Sequence, residues 1–194
     1  MSSEIFINYW IGQEPNPPSP TLDQMPAYVD IVPLAFVMIN SSYELDFGFL
    51  TQHFTAETIQ GWVKTVQANG TKVLFSILDK KLGSIPADKQ QHFVDNVVAN
   101  AAEWGVDGLD FDFEPPYDSP TLIPLIDALR AALPSGSVFT APVYGAWRGF
   151  PICSRSWEAW SIMCRRWITR PIPASTARSA IANSTPVTSA GRGS

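Results

Sequence analysis

Residues Asp107 to Glu114 read Asp-Gly-Leu-Asp-Phe-Asp-Phe-Glu, and from Leu109 onward apolar and acidic side chains alternate with a period of two. That is the period of a β-strand, in which successive side chains point to opposite faces of a sheet. Asp110, Asp112 and Glu114 therefore share one face, and Leu109, Phe111 and Phe113 share the other. Three carboxyl groups on successive positions of one enclosed face cannot all ionise cheaply. Each raises the proton affinity of its neighbours, so at least one should hold a proton near neutral pH.

A carboxylic acid kept protonated can protonate the oxygen of a leaving sugar, while a neighbouring carboxylate supports the positive charge that develops on the donor sugar. Glu114, last in the run, is the natural acid. Other uses of acidic residues fit less well. A solvated stretch would not interleave Leu, Phe and Phe and end in Pro115-Pro116, and a calcium loop of the EF-hand type needs its ligands and glycine at other spacings. Inward carboxylates on a barrel can also hold magnesium, so a metal-dependent phosphoesterase stands as a rival.

The elements that must position this strand follow from the rest of the sequence. Short β-rich runs, Ile5 to Ile11, Ile31 to Ile39, Lys72 to Leu78, Gly108 to Glu114 and Ser137 to Tyr144, alternate with stretches of helical spacing. Each run is short and apolar enough to be buried on both faces of a parallel sheet. Thr55 is a good cap for a helix with Ile59, Val63 and Val66 on one face, ending at Asn69-Gly70. A second helix is expected from near Pro86 to Gly105, with Phe93, Val97 and Ala101 inward, and a third from Leu122 to Leu133, closed by Pro134-Ser135-Gly136. The proline-rich crossover from Pro15 to Asp30 has no clear helical pattern. Periodicity alone allows either an open doubly wound sheet or an eight-stranded barrel. In a barrel, Glu114 would stand highest, at the C-terminal rim where barrel chemistry takes place.

The eight-residue motif fills every fixed position of Asp-Gly-x-Asp-x-Asp-x-Glu and resembles the signature of family 18 glycoside hydrolases, the chitinases and endo-β-N-acetylglucosaminidases. That resemblance implies a (β/α)8 TIM barrel with this segment as its fourth strand, which is its rank among the strands expected here. It also implies substrate-assisted retention, in which the N-acetyl oxygen of the donor sugar attacks its own anomeric carbon. By the resemblance the catalytic set is Glu114 as general acid and then base, Asp112 as the group that holds the acetamido N–H and stabilises the oxazolinium ion, and Asp110 sharing a proton with Asp112. Tyr9 in Asn8-Tyr9-Trp10 resembles the family's strand-one pocket tyrosine, Phe36 its strand-two aromatic, and Ser76 its strand-three serine beneath the aspartates. Tyr144, on the fifth expected strand, could line the cleft, and Asp107 and Gly108 are taken as structural support. Core packing is the plain alternative for Tyr9 and Phe36. No cofactor and no metal is expected, and the expected partner is an oligo- or polysaccharide containing N-acetylglucosamine, bound by a monomer. The chain departs from the family where Leu78-Asp79 stand in place of paired glycines, and no strand-six Met-x-Tyr-Asp element or strand-eight tryptophan is recognisable. The resemblance stops near Tyr144 to Trp147.

The fold expected is thus α/β, of the (β/α)8 TIM barrel family, over residues 1–147 and truncated after about five strands, with an aberrant basic tail over 148–194. The charge distribution draws that boundary. Residues 1–147 carry 6 basic and 17 acidic side chains, net −11, whereas 148–194 carry 7 and 1, net +6, for a total of −5 over 194 residues. The tail reads as frameshifted or disordered, since Ser175 to Ser194 has too little apolar content to pack. A basic amphipathic helix around Trp157, Trp160, Cys164 and Trp167 is its functional alternative. The overall negative charge argues against a nucleic-acid partner. No run approaches the ~20 apolar residues of a membrane span. Met1-Ser2-Ser3-Glu4 lacks the pattern of a signal peptide, so the chain as written reads as cytoplasmic, although members of the family are often secreted. Cys153 and Cys164 make no disulfide framework, and His53 and His92 have no ligand spacing. The rivals to hydrolysis are an inactive truncated fragment and a carbohydrate-binding, non-hydrolytic relative. The latter typically lacks the acid that is present here as Glu114.

Overall fold

The computed structural model describes residues 5–13, 20–78, 80–112 and 119–142. Its helices begin and end where local chemistry dictates. The Thr55 side chain accepts a hydrogen bond from the Thr58 N–H at 3.3 Å and opens α1 (Ala56–Ala68), whose buried positions are Ile59, Val63 and Val66. The second helix, α2 (Ala87–Trp104), starts one residue after Pro86 and stops at Gly105, which adopts the left-handed conformation, φ 67°, at the C-cap. A third, α3 (Ser119–Ala132), starts three residues earlier than the apolar spacing predicts and tolerates Pro124 within its first turns. Thr21 caps a single turn of 3-10 helix at Leu22–Gln24, inside the crossover that has no helical pattern.

Between these helices run β1 (Trp10–Ile11), β2 (Ile31–Ile39), β3 (Leu45–Asp46), β4 (Lys72–Ile77), β5 (Gly108–Phe111) and β6 (Val138–Thr140). Five of them form one parallel sheet in the order β1-β2-β4-β5-β6, the order in which repeated strand-helix units lay down neighbours. The sixth, β3, pairs antiparallel with the end of β2 through Met38↔Asp46 and Ile39↔Leu45. Two residues are too few to leave an alternating signature, which is why the sequence does not announce it.

The second run is a strand over its whole expected length, Ile31–Ile39, and the third stops one residue early, at Ile77. In the first run, the Phe6 carbonyl accepts from both Asp30 and Ile31 N–H, and the Phe6 N–H turns to the Asp30 carboxylate at 2.8 Å. Regular pairing is therefore confined to Trp10–Ile11 and an isolated Ile7↔Ile31 bridge, and Ile5 and Phe6 stay exposed. Among the described residues the last run pairs over Val138–Thr140. The ends of two expected strands, Phe113-Glu114 and Val143-Tyr144, lie outside the described residues, as does the tail over 148–194.

One face of the sheet packs against the helices. Val73, Phe75 and Ile77 of β4 and Leu109 and Phe111 of β5 join Ile59, Val63 and Val66 of α1, Phe93 and Val97 of α2, and Leu122, Leu125 and Leu129 of α3 in a single buried cluster. The apolar half of the 107–114 alternation therefore lies under the helices, as its period requires. Trp104, at the end of α2, stacks on Phe47 with centroids 4.6 Å apart and meets Phe75 edge-on at 5.6 Å, closing the cluster beside β3.

At Gly108 the backbone of β6 packs tightly against β5. A Cβ on it would stand 1.9 Å from the Val138 carbonyl oxygen and 2.7 Å from the Val138 nitrogen, so only glycine lets β6 pair there. Gly108→Ala should lower stability by about 3 kcal/mol or more, by forcing β5 and β6 apart. Gly61, exposed in the middle of α1 with nothing within 4 Å of its virtual Cβ, is the opposite case. Gly61→Ala should stabilise by about 0.5–1 kcal/mol. Denaturant midpoints of the two variants should move in opposite directions, and equal small shifts would refute the close approach.

Candidate active site

On the face turned away from the helices, parallel pairing sets four residues at one level: Ala35 of β2, Ser76 of β4, Asp110 of β5 and Thr140 of β6. All four are buried, Asp110 to 1% exposure. A carboxylate taken so far out of water must be hydrogen-bonded or neutralised. Asp110 has three hydroxyl partners: Ser76 donates to Oδ2 at 2.7 Å, Tyr9 donates to the same oxygen at 3.0 Å, and Thr140 donates to Oδ1.

The Tyr9 bond bears on the shape of the sheet. Tyr9 immediately precedes β1, and β1 lies three strand spacings from β5, about 14 Å across a flat sheet. Side chains standing upright on a flat sheet do not bridge that span, so the sheet curls toward this face, as in a barrel wall. Ala35 has the smallest side chain of the level and sits on β2, one of the two strands between β1 and β5.

Burial is the largest influence on the Asp110 carboxyl and pushes it up to about 6. The hydrogen bonds from Thr140, Ser76 and Tyr9 pull in the other direction, and the charge of Asp112 adds a smaller upward push. The sequence reading expects a proton on this strand from mutual repulsion of the carboxylates, with Glu114 as its natural holder. Among the described residues the raised group is Asp110, and desolvation rather than repulsion is the leading cause.

At the opposite end of the strand Asp107 works as a staple. Its Oδ2 accepts from Gln67 Nε2 of α1 at 2.8 Å and from the Val73 N–H at 3.0 Å, and its Oδ1 pairs with Lys72 Nζ at 2.7 Å. Its own N–H donates to the Val73 carbonyl and its carbonyl accepts from the Val138 N–H, so one residue ties β4, β5, β6 and α1 together. Burial pushes its carboxyl up, but the bonds from Lys72, Val73 and Gln67 outweigh this and hold it below the usual range.

The other candidates fall as follows. Asp112 follows Asp110 on the same face, half-buried, with its N–H on the Ile77 carbonyl at 3.1 Å. Ser76 stands level with Asp110 rather than beneath it. Phe36 is half-buried at the point where the register of β2 against β4 shifts, away from the Asp110 hydrogen bonds. Glu114 and Tyr144 lie outside the described residues. Sequence reasoning passes over Thr140, whose one signal is a hydroxyl at the end of the otherwise apolar Val138–Thr140. Among the described residues no group of three His, Cys, Asp or Glu could hold a metal ion, and no helix is long and apolar enough to cross a membrane.

A curled parallel sheet with helices on one face and a hydroxyl-held carboxyl on the other defines an α/β protein of the (β/α)8 barrel family. Solved structures share this fold. A chitinase from Chromobacterium violaceum superposes with a TM-score of 0.59 at 20% identity, over 71% of this chain and 39% of that one. For a chitinase from Rhizomucor miehei the values are 0.58, 21%, 72% and 47%, and for the chitinase ChiC from Aspergillus fumigatus 0.59, 19%, 72% and 54%. The chain thus spans about half, or less, of the length of the solved chitinases it matches. Comparison with curated protein sequences gives no significant match. The sequence model of the glycosyl hydrolases family 18 matches residues 5–144, and the chain belongs to that family.

The site has a pH signature of its own. Between the ordinary aspartate value of 3.8 and about 6 the folded chain binds more protons at Asp110 than the unfolded chain does. The stability contributed by this group therefore falls as pH rises through that interval. Asp107 has the opposite sign, contributing stability that is lost only as pH drops below the ordinary carboxylate range. Asp110→Asn should flatten the loss of stability between about pH 4 and about pH 7. Parallel profiles for wild type and variant in thermal melts would show that Asp110 does not titrate there.

Proposed function

We propose that the chain carries the acid/base strand of a chitinase-type hydrolase that cleaves β-1,4-linked N-acetylglucosamine polymers by substrate-assisted retention. The observation that carries the reading is Asp110, a buried carboxyl held by hydroxyls from β4, from β6 and from Tyr9 just ahead of β1, four residues before Glu114 in the sequence. In this reading Glu114 protonates the leaving oxygen and later activates water. Asp112 orients the acetamido group so that its oxygen reaches the anomeric carbon. Asp110 exchanges a proton with Asp112 as charge develops, which suits a carboxyl poised near 6. Tyr9 and Ser76 hold Asp110 in place, and Phe36 and Tyr144 are the aromatic contacts offered to sugar rings. Family membership and the fold of the solved chitinases support the substrate class. The chemistry needs no cofactor, and the ligand is a GlcNAc-containing oligo- or polysaccharide bound by a monomer.

Hydrolysis of a fluorogenic chitobioside by the 194-residue chain tests the proposal. Wild type should release the fluorophore, Glu114→Gln should lower kcat by about 10²–10⁴, and a chelator should leave the rate unchanged. A wild-type chain without hydrolysis, or a Glu114→Gln variant as active as wild type, would overturn it.

A further inference from the structure

The three hydroxyls around Asp110 are not equivalent. A carboxylate has about four lone-pair sites, two on each oxygen. Oδ2 has both occupied, by Ser76 of β4 and by Tyr9 ahead of β1. Oδ1 receives Thr140 alone, so among the described residues it is the oxygen with a site left for a proton. Thr140 is itself buried to 4% exposure, and the pairing Asp110↔Thr140 sets it level with the carboxyl from the far side of β5.

We propose that Thr140 is a positioning residue for the reaction: its hydroxyl anchors Asp110 through Oδ1, fixes the plane of the carboxyl, and determines how readily Oδ1 takes up a proton. With Thr140 donating, the anion has three hydrogen bonds and its proton affinity is restrained. Without that hydroxyl, no described residue donates to Oδ1 of this buried carboxyl, and protonation is the cheapest relief. A hydroxyl is suited to this place because it can also turn and accept once Oδ1 is protonated. Valine, with the same shape, can do neither. Among the described residues the titratable groups that face Asp110 are Tyr9, through its phenol, and Asp112, two residues on, and Ser76 and Thr140 supply neutral contacts from either side. This inference rests on the glycosidase reading for the use to which the proton is put, and on the hydrogen bonds for the position itself.

The test is a carboxyl titration by NMR on the full chain with ¹³C-labelled aspartate, with the Asp110 resonance assigned from Asp110→Asn. Thr140→Val should raise the Asp110 midpoint by about one pH unit, the shift expected when an anion loses one hydroxyl donor. Thr140→Ser should restore it to within a few tenths of a unit. Thr140→Ala gives the same reading if valine does not fold, and should rise likewise. A midpoint unchanged in valine and alanine, or a serine variant that stays with them, would overturn the proposal, since a purely structural role would not separate serine from valine. Because the titration reads Asp110 directly, a chain without hydrolytic activity still answers it. Failure of the chitobioside assay would count against the glycosidase reading alone.

Discussion

Burial of one carboxyl group at the middle of a parallel sheet shapes the rest of this molecule. An aspartate exposed to only 1% must be either neutral or richly hydrogen-bonded, and Asp110 is held between the two. Its three hydroxyl partners come from three different places in the sheet, so the group that is costly to bury also cross-links the strands around it. Two of those partners are supplied by adjacent strands in register. The third crosses two intervening strands and requires the curl that turns a sheet into a barrel wall. Curvature and site chemistry are therefore one constraint seen at two scales.

The motif around Asp110 divides its work by position. Asp107 fastens the beginning of β5 to β4, β6 and the end of α1. Gly108 allows the β6 backbone to approach where any side chain would collide. Leu109 and Phe111 anchor the strand beneath the helices, which fixes the opposite face for Asp110 and Asp112. The match to glycosyl hydrolases family 18 spans this pattern, and the contacts give a physical reason for Asp107, Gly108 and Asp110. Asp107 and Asp110, two acids three residues apart, are driven in opposite directions from the ordinary carboxylate value. One meets a lysine and an amide near the surface, and the other meets hydroxyls in a layer that excludes water.

Much of the framework was legible before any coordinates. Helix α1 starts at the predicted cap with the predicted buried face, α2 stops at the predicted glycine, and the β5 alternation assigns its faces correctly, because caps, left-handed glycines and side-chain periods are properties of a few consecutive residues. The strand ends were less legible. Pairing in the first run is cut short by a carbonyl that serves two donors at Phe6, a feature that does not alter hydrophobicity. The short β3 strand exists only because it finds an edge of β2 to pair with.

The candidate site divides along the same line. From the amino-acid sequence alone come the shared face of the acids at 110 and 112, the expectation that Glu114 lies on it, the reading of Asp107 and Gly108 as structural support, and the family that the pattern resembles, since all of these lie within eight consecutive residues. Tertiary structure decided which acid is buried, why its proton affinity rises, and that Thr140 and Tyr9 meet it from 30 and 101 residues away. Desolvation and convergent hydrogen bonding are sums over neighbours in space, and spacing along the chain does not reveal those neighbours until the strands are in register.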